Sequence, residues 1–330
     1  MMAPSRRLMT SVALLLVAIL LLAVWSLRSG AVTLDFTQVF NALLGSAPRN
    51  LSLVVTEWRL PRVAMAILVG AALGVSGAIF QSLMRNPLGS PDVMGLNTGA
   101  WSGVLVAMVL FGQHLTAITF TAMAGGMLTS LLIWLLAWRN GIDTFRLIII
   151  GIGVRAMLMA FNTWLLLQAS LETALSAGLW YAGSLNGLTW GKTWPAAPLI
   201  VLMFIGALLL VRRMRLLEMG DDSACALGVG VERSRLMLML VAVLLTAAAT
   251  AIAGPISFIA LVAPHIARRL SGTARWGLTQ AALCGAVLLL AADLCARQLF
   301  MPYQLPVGVV TVSLGGIYLI VLLVQESRKK

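Results

Sequence analysis

Long apolar runs recur along the whole chain, at about 8–27, 61–84, 93–112, 115–138, 146–168, 196–211, 236–253, 256–270, 277–298 and 306–324. Polar residues gather in short clusters between these runs instead of forming one face of each. A helix that crosses a bilayer needs about 20 mostly apolar residues at 1.5 Å rise each. The pattern therefore predicts an all-α polytopic membrane protein of about ten transmembrane helices, in a single transmembrane domain over 1–330. The first run follows Arg6 and Arg7 as a signal peptide would, yet it is long enough to span and no small-residue cleavage pattern follows. It reads as an uncleaved first span.

Composition agrees with the pattern. Of 330 residues, 60% are hydrophobic and 10% charged, with a mean hydropathy of +0.98. A soluble domain carries about 25% charged residues, so water is excluded as the main solvent. The net charge of +12 sits at the ends of apolar runs without interleaved aromatics, which argues against a nucleic-acid partner. Sixteen Lys and Arg fall in connections on the amino-terminal side, six on the other, and Arg155 lies within a span, together the 23 of the chain. By the positive-inside rule both termini are expected in the cytoplasm.

Two connections on the inner side stand out. RNPLGSPDVMG, Arg85 to Gly95, concentrates Arg85, Asn86, Pro87, Gly89 and Pro91. Proline disfavours helix at the preceding residue and glycine admits unusual backbone angles, so a tight structural turn between the second and third spans is expected, with Ser90 or Asp92 capping the third. The segment Arg212 to Arg235, RRMRLLEMGDDSACALGVGVERSR, is too polar to span, yet its apolar residues suit short helices punctuated by Gly220 and Gly228. Within the spans, Gly70-x3-Gly74 and Gly95-x3-Gly99-x3-Gly103 predict close helix packing.

Residues that carry chemistry are scarce. NGLTWGKT, Asn186 to Thr193, imitates a phosphate loop, but Asn186 stands where the first glycine is required and no strand precedes it. His114 and His265 lie in no metal-spaced motif, and Cys225, Cys284 and Cys295 have neither ligand nor disulfide spacing. No catalytic residue, metal site or resident cofactor is expected. Asp293 is the one acid deep in a predicted span; a pair with Arg155 is one way to make both tolerable, separate hydrogen bonding at helix interfaces another. One acid is thin provision for an ion-coupled secondary transporter, and a polytopic enzyme has less support still.

Three stretches carry a resemblance. WRLPRVAMAILVGAALGVSGAIFQSLMRNPLGSPDVMGLNTGA (Trp58 to Ala100), AGPISFIALVAPHIARRLSG (Ala253 to Gly272) and PVGVVTVSLGGIYLIVLL (Pro306 to Leu323) resemble the iron-siderophore and cobalamin permease family of ABC importers. The sequence departs from it at Thr273 and Ala274, where the family often has Asp-His. The likeness is greatest to the ferric enterobactin branch, which implies a catecholate siderophore as cargo, with another siderophore, haem or cobalamin as alternatives. It also implies ten helices with an inverted repeat of spans 2–5 and 7–10, in the bacterial inner membrane. The implied partners are a paralogous second permease in a heterodimer, two cytoplasmic ATPase subunits carrying ATP and Mg, and a periplasmic binding protein. By the same resemblance, 212–235 is the ATPase-coupling segment, with Leu217, Glu218, Gly220, Asp221, Ala224, Leu227 and Gly228. Arg59, Arg62 and Arg297 resemble arginines that dock the binding protein, although any Arg at a helix end can also snorkel. Thr144 and Phe145, in the turn NGIDTFR from Asn140 to Arg146, resemble a cytoplasmic gate.

Overall fold

The computed structural model describes residues 6–30, 32–112, 115–138, 144–272, 277–299, 301 and 303–327. These residues form helices in the order α1 (Arg6–Arg28), α2 (Phe36–Leu43), α3 (Arg49–Leu53), α4 (Leu60–Met84), α5 (Leu96–Leu110), α6 (Leu115–Ala137), α7 (Thr144–Gln168) and α8 (Leu171–Tyr181). They continue with α9 (Trp190–Thr193), α10 (Ala197–Glu218), α11 (Asp221–Ala226), α12 (Val231–Ala253), α13 (Ile259–Ser271), α14 (Leu278–Gln298) and α15 (Val307–Ser327). Among the described residues, seven segments are long and apolar enough to cross a membrane, and α5 and part of α15 are shorter apolar helices. With α13, every predicted span has its helix.

The core is built around α4, which packs against α14, α12, α13, α10 and α1. In both α4 and α12, 78% of the most apolar window is buried, against 11% in α1, 17% in α10 and 22% in α7. The last three therefore form the outside of the bundle. A π-helical turn, Val54–Arg59, joins α3 to α4 without a break. Lipid provides no water-driven force between helices, so close backbone approach and buried hydrogen bonds take over. Gly70 and Gly74 face α14, Gly77 faces Ala260 of α13, and Gly99 and Gly103 face α6. Ser76 Oγ lies 2.7 Å from Thr246 Oγ1, and Gln81 Nε2 donates to Leu261 O at 3.0 Å, both buried.

Boundaries differ from the expectation in an informative way. The third span starts at Leu96 instead of 93, after a 3₁₀ turn at Pro91–Met94 and a left-handed Gly95 at φ 75°. The eighth starts at Ile259 instead of 256, after Pro255 and a left-handed Phe258 at φ 70°. Neither Ser90 nor Asp92 caps α5; its N-cap is Gly95. Conversely α10 runs on to Glu218 and α12 begins at Val231. The short connection between them is 219–230, narrower than the expected 212–235.

The opening segment 85–95 is not the simple reversal that its prolines predict. Arg85 ends α4 with φ 47°, and the chain then turns back into the bundle. Gly95 packs against Arg155, in the middle of α7. The segment is re-entrant. Such backbone is tolerated at membrane depth where protein covers it or a cavity adjoins it.

Candidate functional site

The connection 219–230 shows how sequence makes a compact elbow. Gly220 has φ 113° and Gly228 has φ 78°, angles that L side chains rarely adopt. Between them α11 tucks Ala224 into the core while Leu217 anchors the end of α10, and Met219 and Leu227 stay exposed. Arg85 Nη2 donates to Leu217 O at 3.0 Å and to Asp221 Oδ1 at 2.7 Å. Arg235 Nη2 reaches Asp221 Oδ1 at 2.7 Å and Oδ2 at 2.8 Å. Ser82 Oγ donates to Glu218 Oε1 at 3.0 Å. Arg85 and Asp221 are each nearly half exposed, so such a pair is worth about 0–1 kcal/mol; it fixes position more than it adds stability. The structure thus brings Leu217, Glu218, Gly220, Asp221, Ala224, Leu227 and Gly228 into one elbow and ties it to Arg85. That tie was not visible in the sequence, because Arg85 and Asp221 are 136 positions apart.

From Arg85 the re-entrant segment leads to a cavity of about 750 Å³. On the way, His265 Nε2 lies 2.8 Å from Pro87 O, which makes the ring nitrogen the donor. The cavity's polar lining includes Ser90, Asp92, Asn97, Arg155, Tyr181 and Ser257, and its apolar lining includes residues of α13 and α15. Asn97 Nδ2 donates to Asp92 Oδ1, and Thr250 Oγ1 donates to Asn97 Oδ1 at 3.0 Å. Tyr181 is backed by Trp101 at a ring-centroid distance of 4.8 Å, and Trp101 stacks on Trp180 at 5.9 Å. An arginine at bilayer depth costs about 2.5–3.5 kcal/mol on insertion scales, so Arg155 marks a polar path.

Arg155 and Asp293 do not pair. Asp293 is fully buried and holds two other arginines: Arg62 Nη2 at 2.8 Å and Arg297 Nε at 3.2 Å. Arg62 also reaches Gln304 Oε1 at 3.3 Å, and Arg297 binds the backbone of Ser26 and Ser29. Arg59 donates to Leu27 O, Arg28 O and Val32 O at 2.6 to 2.9 Å. The donors of Arg59, Arg62 and Arg297, expected to reach a partner, are thus directed into the chain and lock α1, α4 and α14 together. The i,i+4 spacing of Asp293 and Arg297 was the available signal for half of this cluster.

Phe145 is exposed at the start of α7, and Thr144 is the first residue of that helix. The remainder of the expected gate turn, Asn140 to Asp143, lies outside the described residues, as do His114, Thr273 and Ala274. The imitation phosphate loop ends in the four-residue helix α9.

Comparison with known proteins agrees with this architecture. The FecCD transport family profile matches residues 15–325. The chain is 82% identical over 326 residues, 99% of each sequence, to the ferric enterobactin transport system permease protein FepG of Escherichia coli strain K12. It is 39% identical over 321 residues, 96% of this chain and 91% of the relative, to the achromobactin transport system permease protein CbrC of Dickeya dadantii. It is also 37% identical over 324 residues, 96% of each, to the hemin transport system permease protein HmuU of Yersinia pestis. A metal-chelate type ABC transporter solved in an inward-facing conformation superposes with a TM-score of 0.78 at 27% identity, covering 95% of this chain and 98% of the other. A family profile that spans most of the chain and full-length identity of 82% to one of its permeases settle the class: the chain belongs to the FecCD transport family and is the membrane permease subunit of an ABC importer.

Proposed function

We propose that this subunit forms half of the path by which a ferric siderophore of catecholate type, ferric enterobactin, crosses the bacterial inner membrane toward the cytoplasm. The observation that carries the cargo assignment is the 82% identity to FepG along the full length of both chains. In this reading a paralogous permease supplies the other half, so the cavity beside α7 and α15 is open here and closed in the heterodimer. A periplasmic binding protein delivers the cargo. Two cytoplasmic ATPase subunits carry ATP and Mg and drive the change between outward- and inward-facing states.

Both termini are cytoplasmic, as the distribution of Lys and Arg supports. The elbow 219–230 is then the ATPase contact, with Met219 and Leu227 as its apolar tips and Asp221, clamped by Arg85 and Arg235, as the point where motion is passed to the re-entrant segment. A short helix tied by ionic contacts passes on a rigid-body shift that a free loop would dissipate. Thr144 and Phe145 sit at the cytoplasmic end of α7, where bulk at Phe145 narrows the exit. At the outer rim, Arg59, Arg62 and Arg297 hold the surface in shape, and docking depends on that shape more than on free guanidinium groups.

Changing Met219 and Leu227 together to aspartate tests the elbow. Affinity purification of the double variant from membranes is expected to recover the second permease while recovery of the ATPase subunit falls at least about tenfold, because charged residues in place of apolar anchors remove the centre of a docking surface. Full recovery of the ATPase from the double variant would reject the elbow as its contact.

A further inference from the structure

We infer that Arg155 is the residue that recognises the negative charge of the cargo inside the membrane, with Asp92 as its resident counter-charge. This deepens the ferric-siderophore reading above and rests on it.

Position comes first. α7 has 25 residues, about 37 Å of helix, and Arg155 lies near its middle. The hydrocarbon core is about 30 Å thick, so the guanidinium enters at the depth where charge is least welcome. Arg62 and Arg297 share the fully buried carboxylate of Asp293. Arg155 is exposed, lines the cavity, and among the described residues has no hydrogen-bond or ion-pair partner. The acid that lines the same cavity is Asp92, yet that carboxylate is engaged by the side-chain amide of Asn97. The donors of Arg155 are therefore available to something in the cavity.

The surroundings add to the same sign. α5 and α13, of 15 and 13 residues, both begin at this cavity after left-handed N-caps, and helix amino ends carry partial positive charge. Discontinuous helices with amino ends aimed at an anionic group are a known way to build a site at mid-membrane. Tyr181 offers a flat wall beside it.

The ligand chemistry that fits is an oxygen-rich anionic metal chelate. A ferric tris-catecholate is such a species, since the doubly negative catecholates outweigh the charge of Fe(III). A fixed cationic charge at the wall attracts the oxygen-rich face of such a chelate through charge-assisted hydrogen bonds. Asp92 limits the attraction, because a path must bind weakly enough to release.

The experiment uses the full complex in proteoliposomes with ferric enterobactin as the probe, comparing wild type, Arg155→Gln and Arg155→Lys at equal assembly by gel filtration. Arg155→Gln is expected to lower initial uptake about tenfold, and Arg155→Lys, which keeps the charge, to stay within about threefold of wild type. Gallium(III) enterobactin, of the same charge without redox chemistry, follows the same order. Uptake by Arg155→Gln at the wild-type rate overturns the inference. So does equal damage in both variants, or loss of assembly in both, since either points to packing instead of charge. Absence of ferric enterobactin uptake by the wild type would instead reject the cargo reading on which the inference rests.

Discussion

Replacing Asp293 by alanine lowers the stability of the folded subunit by about 3–5 kcal/mol, the cost of removing one partner from a buried ionic cluster. Asp293 is fully buried, and Arg62 and Arg297 are only 12% and 8% exposed. Without the carboxylate, two largely buried guanidinium groups are left with only neutral acceptors, Gln304 for Arg62 and the carbonyls of Ser26 and Ser29 for Arg297. The helices involved are the ones that build the core, since α4 and α14 pack along most of their length and α1 lies against α14. Thermal denaturation of the purified subunit in detergent reads the effect. Asp293→Asn is expected to fall between wild type and alanine, because one acceptor oxygen remains. Replacing Arg62, Asp293 and Arg297 together by apolar residues of similar volume is expected to recover part of the loss, since burial then leaves no unpaired charge. Equal stability of Asp293→Ala and wild type would contradict this assignment of the cluster.

Gly77→Val is the second large effect. A Cβ at Gly77 would enter the backbone of Ala260, approaching its carbonyl carbon to 2.6 Å and its Cα to 2.9 Å. Backbone cannot rotate away as a side-chain tip can. Accommodation requires α13 to move off α4, against typical overpacking costs of about 1–3 kcal/mol and sometimes more. Phe258, the N-cap of the displaced helix, and Leu261 within it both line the cavity, so the cavity loses its shape with the contact. The expected outcome is failure to recover a folded, monodisperse subunit. Gly316→Ala is the control, because a Cβ there meets nothing within 4 Å. Normal recovery of Gly77→Val would show that α4 and α13 do not meet as described.

Much of the fold was legible in the apolar runs, because lipid demands uninterrupted helical segments and so writes the spans into the sequence. Depth was not. The prolines and glycine of RNPLGSPDVMG announce a break in the helix, but a break at the surface and a break that returns to mid-membrane use the same residues. Asp92 therefore read as a cap and not as a cavity wall. The elbow was recognisable from its glycines and from resemblance, whereas its clamp joins Arg85 to Asp221 across 136 positions. For the arginines, Arg297 to Asp293 follows helical spacing, while Arg62 reaches the same acid from 231 positions away. Local patterns name elements; long-range partners of charged groups come only from the packing.

Two rival classes recede with the family assignment. A secondary transporter would hold its ion-coupling groups, and a polytopic enzyme its chemistry, in this chain, whereas an ABC importer permease depends on a separate ATPase.

The deciding measurement is uptake of ferric enterobactin into proteoliposomes containing this subunit, its paralogue and the ATPase, with the binding protein outside. Uptake is expected to require both hydrolysable ATP on the ATPase side and the loaded binding protein, and to persist when an ionophore collapses the proton gradient. Uptake that proceeds without ATP and stops with the ionophore would contradict ATP-driven import.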